Sequence, residues 1–546
     1  MIDKSVRKVN YLAWVMATVF GVITSFFLVW GYQLEKYDSV NLADKNALIL
    51  LLCFAAVLTV DAKHVWDGYN NSYKGKKFLG LLDLNKYRLI EAEKAERKEY
   101  FFVWILLIVL NIPVLLAEFP GFFVYDAQDE LNEVLTRTFS THHPLLHVLF
   151  LGGTIALVHK LVGSWNAGIF CYLFIQMLII TAIFAYVILY LRKRGINKKA
   201  GLFWTLFYGL FPTVVMFVLC SSKDGLFAAL LTLLTVFLLQ MTENTEAFIQ
   251  DKKRIIAFIL TASLMPCFRH NGFYAYLVFL PFAFIYFKKN IKSVLTAALV
   301  APVMVYILIS SFLSAAFSSE GTHHQEILTV PIMQMVRVYE YDKDSMTQEE
   351  VDTLKAFIPE ENLNLYSPRV SDMVKVGFNN KLYEESKGTF WRLWFTLFKK
   401  HPFVYVNSWF LTSYGYWYPV AKINVYQGTT VFTFTYDESS YFGYEVEQPG
   451  ERHSLIPVID SLYRYLSIGS FHKDAPVLAL FFSPGVLIII YLFVLCYRIS
   501  IRDLAKVVPF IPVMLTWATV LLGPTYLVRY VIYLWFCLPL LFVRRI

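Results

Sequence analysis

Apolar runs separated by short polar breaks dominate the chain, at residues 11–32, 47–60, 101–116, 167–191, 202–219, 226–241, 255–267, 273–287, 294–313, 477–494, 507–522 and 527–543. Crossing a bilayer core takes about 20 apolar residues in a helix. The pattern therefore predicts an α-helical polytopic membrane protein with about 12 transmembrane helices, of which 47–60 and 255–267 are the shortest. The pattern breaks between 318 and 476, where mixed charge and tyrosine-rich patches predict a small extracytoplasmic α/β or irregular module with interfacial helices. Within it, Thr347 and Glu350 form a capping-box pattern ahead of a short amphipathic helix over 351–358. Residues 391–398 are aromatic and amphipathic, as an interfacial helix should be. Residues 428–444, rich in Thr, Val, Phe and Tyr, predict a hairpin or irregular lid. The organisation is then N-terminal spans and a basic loop (1–100), a transmembrane core with its first outer loop at 118–165 (101–317), the outer module (318–476) and C-terminal spans (477–546).

Composition fixes the class: 57% hydrophobic and 17% aromatic residues, with a mean hydropathy of +0.52, exclude a soluble domain. The formal charge of +8 sits on loops, among them 63–98, 192–199, 252–254, 288–292 and 498–506. Basic loops stay in the cytoplasm, which predicts that both termini lie inside and that 118–165 and 318–476 lie outside. The positive excess then faces an anionic inner leaflet and calls for no nucleic acid. Residues 144–162 are apolar enough to span. A crossing there would put the 192–199 basic cluster outside, so these residues are expected to lie along the outer surface, with His147, His159 and Lys160 reaching water. By the same parity, 402–419 dips into the membrane or lies upon it. The first run follows Lys4, Arg7 and Lys8 and is read as a retained anchor. The six cysteines lie in or beside apolar runs, with no disulfide framework or CxxC spacing.

Ionisable residues at a membrane edge are rare and usually functional. The loop after 101–116 carries Asp126, Asp129 and Glu130, then His142 and His143 before Pro144. The plain alternatives are that Asp126 caps the following helix, an assignment that suits Asp129 better, and that the histidines are merely polar residues before a helix-opening proline. Carboxylates with histidines also invite a divalent cation, but no HExxH or comparable spacing is present. Three outward positions carry cations: Lys223 in Ser222-Lys223-Asp224, Arg269 in Arg269-His270-Asn271, and Arg529 before Tyr530. They are suited to a phosphate, and the plain alternative is snorkelling to headgroups.

The order of these features resembles the GT-C membrane glycosyltransferases, in the branch of protein O-mannosyltransferases and lipid A aminoarabinose transferases, closest to uncharacterised multi-pass bacterial members. The matching motifs are Pro120-Gly121 with Asp126, His143-Pro144, Lys223-Asp224, Pro331 with Gln334 and Arg337, Ser371-Asp372 with Lys375, and Arg529-Tyr530. The Asp-Glu pair of better-known members reads Tyr125-Asp126-Ala127 here, and His-Pro-Pro becomes His143-Pro144-Leu145.

The resemblance implies a plasma-membrane enzyme of bacterial type that transfers a sugar from a polyprenyl-phosphate donor to a cell-envelope acceptor on the outer face, inverting the anomeric centre. Asp126 would be the general base, provided burial raises its pKa, with Asp129 and His143 beside it. Lys223, Arg269 and Arg529 would hold the donor phosphate. His142, Asp224, Arg337, Asp372, Lys375 and Tyr530 would support the site or line the substrate cleft, with Asp224 orienting Lys223. Metal dependence stays open, a divalent cation being the one cofactor candidate. The competing class is a transporter or flippase for lipid-linked intermediates, which should carry charge near the bilayer midplane and related halves. A polymerase or ligase of lipid-linked oligosaccharides would share the outer cleft.

Overall fold

Backbone groups in lipid must be satisfied within their own segment, and the apolar runs accordingly become helices. A computed structural model describes residues 4–71, 93–289, 292–317, 321, 324–421, 446–523 and 525–543. The expected hairpin at 428–444 and the basic stretch 72–92 lie outside the described residues. Among the described residues, seven helices are long and apolar enough to cross a membrane: Tyr11–Tyr37, Lys45–Asn70, Arg97–Ala117, Leu145–Val162, Trp165–Lys193, Lys223–Glu243 and Ser293–Phe317. Two bent pairs bring the number to nine, Lys198–Leu210 with Pro212–Val218 at 60° and Pro476–Phe482 with Pro484–Ser500 at 64°. Both bends fall at a proline, which cannot continue the ladder of the preceding helix. Shorter apolar helices cover Asn271–Phe287, Leu504–Val520 and Val528–Leu541. The chain is a helical polytopic membrane protein. The second helix runs well past the apolar run 47–60. It buries Lys63, expected in a basic loop, against Asp67 and over the Trp14 ring.

The most enclosed of these helices is Lys223–Glu243, 83% buried in its apolar window, and its 21 residues reach about 31 Å at the α-helical rise. Each end carries a polar cluster. At the C-terminal end, Glu243 pairs with Arg194 and with the buried Lys506, and accepts from the Tyr190 hydroxyl at 2.9 Å. At the N-terminal end lies the acidic loop.

Helix Leu145–Val162 packs antiparallel to only the first part of Trp165–Lys193. His147 meets Tyr172, Ile155 faces Gly168 and His159 stacks on Trp165 at 3.5 Å. Gly168 is needed for this approach, because a Cβ there would come within 2.7 Å of the Ile155 carbonyl oxygen. The hairpin therefore stays at the acidic-loop end. His147, expected to reach water, is fully buried.

The described residues of the module at 324–476 are helical, with no strand among them, and the strand-forming stretch expected at 428–444 lies outside them. Helices Thr329–Asp342, Gln348–Phe357 and Lys387–Lys400 enclose a second core that includes Ile332, Met335, Leu354, Phe390 and Leu397. The capping box forms, with Glu350 N donating to Thr347 Oγ1 at 3.2 Å and Thr347 N to Glu350 Oε2 at 2.8 Å. Helix Pro402–Ser413 lies along the C-terminal part of the first helix, Lys4–Tyr37. Phe410 packs on Phe26 and Trp30, and Val40 N donates to Asn407 Oδ1 at 2.7 Å.

Candidate active site

Two strands of irregular chain bring the acidic loop to Lys223. Gly121, at φ 121°, takes a backbone conformation that side chains disfavour and turns the chain so that residues 122–124 run beside 219–221. Phe122 N donates to the Leu219 carbonyl at 3.0 Å and Ser221 N to the Phe122 carbonyl at 2.9 Å. The Ser221 hydroxyl ties both backbone groups of Val124 at 3.1 Å. Asp126 follows at the mouth of helix Ala127–Thr136 and directly opposite the first residue of Lys223–Glu243.

Asp126 occupies the N-cap position, yet its side chain caps nothing. Its Oδ2 accepts from Lys223 Nζ at 2.9 Å and from Arg529 at 3.3 Å. Burial alone would raise this carboxyl, but the Arg529 and Lys223 charges hold it well below the usual carboxylate range. That is opposite to the shift expected of a resting general base. Lys223 also donates to His143 Nδ1 at 2.9 Å and lies 3.6 Å from Glu130 Oε1. Its ammonium thus faces three acceptors with three protons. Burial, reinforced by Lys223, pushes the His143 imidazole down to about 3, so the ring is neutral and accepts at Nδ1.

Asp126, Glu130 and His143 offer ligand atoms within 4.8 Å of one another and are the one described group that could hold a metal ion. The Lys223 ammonium stands among these same atoms. The donor set therefore suits a lysine-filled site better than a divalent cation, which would have to displace that ammonium.

Behind Glu130 a chain of hydrogen bonds fixes the position of one proton. Gln176 Nε2 donates to the carbonyls of Val218 and Cys220 at 3.0 and 2.7 Å, so Gln176 Oε1 can only accept. The Tyr172 hydroxyl donates to it at 2.9 Å and must accept from His147 Nε2–H at 2.8 Å. His147 Nδ1, 2.5 Å from Glu130 Oε2, then needs a second proton between the two groups. Burial would raise Glu130, but His147 and Lys223 hold its carboxyl below the usual range. The pair shares one proton between Glu130 Oε2 and His147 Nδ1.

Arg529, Arg269 and Asp224 form the second half of the site. Arg269 pairs with Asp224 Oδ1, and Arg529 lies 4.0 Å from Asp224 Oδ2. Asp224 therefore serves the two arginines, correcting the expectation that it orients Lys223. The guanidinium of Arg529 lies 4.3 Å from the Tyr125 ring centre and 4.8 Å from that of Tyr530, over which Arg269 also sits at 4.5 Å. Such cation–π stacking holds guanidinium planes without consuming their donors. Arg529 Nε is buried with no hydrogen-bond partner among the described residues, a state that usually marks a missing acceptor. Three buried carboxylates balance three cations here, and the Glu130–His147 proton leaves one positive charge over.

The module at 324–476 places Arg529. Thr525 Oγ1 donates to the Arg369 carbonyl at 2.8 Å, and the Tyr416 hydroxyl, which donates to the Thr525 carbonyl at 3.0 Å, accepts from Leu527 N. The other candidates in this module stand apart. Arg337 is buried on the Asp38 carbonyl at 2.7 Å and the Tyr366 hydroxyl. Lys375 pairs with Glu326 at 2.7 Å and Asp372 at 3.0 Å. Glu326 and Lys375 lie within electrostatic range of the exposed His142, on the rim of the site. Asp129 lies at the same rim, its carboxyl raised by partial enclosure there and by the Asp126 charge. Beside His143, a small crevice of about 40 Å³ is lined by Leu145, Leu146, His270, Tyr306, Ile309 and Leu313.

A family model described as a family of unknown function, DUF6020, matches residues 135–546. The chain belongs to the DUF6020 family. The matched residues of this DUF6020 protein include His143, Lys223, Asp224, Arg269 and Arg529 and begin after Asp126 and Glu130. No curated protein and no solved structure matches the chain.

Proposed function

We propose that this DUF6020 protein is a GT-C-type glycosyltransferase that moves a sugar from a polyprenyl-phosphate donor to a cell-envelope acceptor at the outer face of a bacterial plasma membrane. The observation that carries the reading is the pairing of Asp126 with two cations that a phosphate can take over. When a donor phosphate engages Lys223 and Arg529, their hold on Asp126 weakens and burial dominates, so the carboxyl rises towards the range of a working base. Donor binding thus generates the base. The acceptor hydroxyl gives its proton to Asp126 as its oxygen attacks the anomeric carbon, and the anomeric carbon–oxygen bond to phosphate breaks on the opposite face, inverting the centre. The leaving phosphate keeps the bond electrons, and Lys223, Arg529 and Arg269 stabilise its charge in a dry setting.

The excess positive charge of the buried cluster suits one anionic phosphate. Counting the bent pairs, the three shorter apolar helices and Lys252–Leu264 as single crossings, with Leu145–Val162 held at the outer end, is compatible with twelve spans and termini on one side, the inner side by the bias of the basic loops. A flippase is less favoured, because the ionisable groups cluster at helix ends. The test is a reconstituted assay with a mixed pool of labelled polyprenyl-phosphate sugars. Selective, acceptor-dependent consumption of one sugar is expected, and an untouched pool across candidate acceptors would refute the reading.

A further inference from the structure

Asp126 holds the N-cap position of helix Ala127–Thr136 without capping it, so the first amides of that helix need another acceptor. It comes from 319 residues away: Gln128 N donates to Glu447 Oε2 at 3.2 Å. Glu447 lies on a strap, residues 446–455, laid against the acidic loop. Glu447 N donates to the Phe123 carbonyl at 2.8 Å, His453 N to the Phe119 carbonyl at 2.9 Å and Leu455 N to the Leu116 carbonyl at 3.0 Å. Glu451 N lies outside this pairing and donates to Asn166 Oδ1 at 2.9 Å, while Asn166 Nδ2 donates to the Glu451 carbonyl at 2.7 Å. Val446 packs with Phe123, Ala127 and Leu131 in one apolar cluster.

We infer that Glu447 is a positioning residue that takes over the N-cap of this helix, leaving the Asp126 carboxylate free to face Lys223 and Arg529. An N-cap aspartate ordinarily turns its carboxylate back onto the amides of its own helix. Here the far carboxyl satisfies one of those amides. Burial pushes Glu447 up to about 10, so it caps as a neutral acid and adds no further negative charge beside Asp126. Glutamine reproduces both features, an oxygen acceptor and a neutral partner, whereas alanine reproduces neither. The inference rests on the glycosyl-transfer reading only for the step at Asp126.

The test uses the full-length protein in detergent, with wild type, Glu447→Ala and Glu447→Gln compared. Hydrogen exchange of a peptide covering 123–131 should quicken about tenfold at the Gln128 amide in the alanine variant and stay near wild type in the glutamine variant, with melting temperature little changed. In transfer from a labelled polyprenyl-phosphate sugar, Glu447→Ala should lower turnover about tenfold or more with unchanged donor dependence, and Glu447→Gln should restore it. Unchanged exchange in Glu447→Ala, or equal loss of turnover in both variants, would overturn the inference. If exchange responds as expected but wild type transfers no sugar, the positioning role stands and the glycosyl-transfer reading falls.

Discussion

Replacing Glu130 tests the proton placed between it and His147. Glu130→Leu leaves the buried His147 Nδ1 without its carboxylate partner and takes one of three acceptors from Lys223. Breaking a buried ion pair from one side costs about 3–5 kcal/mol. Glu130→Gln keeps the shape, and its amide can donate to Nδ1 of a neutral His147 that still donates from Nε2 to Tyr172. Every group is then satisfied once one proton has left, and the loss falls to about 1–2 kcal/mol. The predicted gap between the variants is about 2 kcal/mol, read as a lower melting temperature for Leu than for Gln in one detergent. The folded Glu130 carboxyl lies below its usual 4.5. Its contribution is therefore fully present above that value and lost as pH falls through the lower folded value. The wild-type advantage over Glu130→Gln should persist at neutral pH and close only in acid. Equal destabilisation by Gln and Leu would refute the reasoning, as would a nitrogen-15 spectrum of Glu130→Gln in which His147 keeps both ring protons.

Other substitutions separate the remaining roles. Arg529→Lys should retain part of the transfer through its charge, whereas Arg529→Gln should weaken donor dependence by about tenfold or more, since a charged hydrogen bond contributes about 1.5–3 kcal/mol. Unchanged donor affinity in the Gln variant would reduce Arg529 to a headgroup contact. Tyr125 holds a left-handed backbone at φ 62° under the Arg529 guanidinium. Tyr125→Gly should relieve strain of about 1 kcal/mol yet lower turnover by freeing Arg529, and full activity would show that the ring is not its platform. Cysteines placed near Asp126 and Asp372 should label from outside intact cells and one at Lys198 should not. Labelling at 198 would overturn the orientation.

The helices were legible because apolar runs in lipid have few alternatives, and the bends at Phe211-Pro212 and Ser483-Pro484 follow from proline chemistry. The extent of the second helix was not, because Asp61, Lys63 and Asp67 interrupt its hydropathy while Lys63 and Asp67 neutralise each other within one turn. Asp126, Lys223, Arg269 and Arg529 announced themselves as charges at apolar edges. Glu130 and His147 carried a weaker signal. Each lies four residues after a singled-out neighbour, Asp126 and His143, and i to i+4 spacing places side chains on one helix face. Glu447 had no local signal, since its role depends on contact across the fold. The outward assignment of His147 failed because a surface helix and a helix packed on Trp165–Lys193 have the same apolar pattern. The sign of the Asp126 shift depends on which cations reach it, which spacing alone does not reveal.

The most direct measurement of the central claim is transfer by wild type and Asp126→Asn, side by side, at saturating polyprenyl-phosphate sugar, with donor binding measured in parallel. Removing the base while keeping the side chain's size should lower turnover by about a hundredfold or more and leave donor binding intact or tighter, because the two cations no longer share a carboxylate. Near-normal turnover by Asp126→Asn would contradict the account.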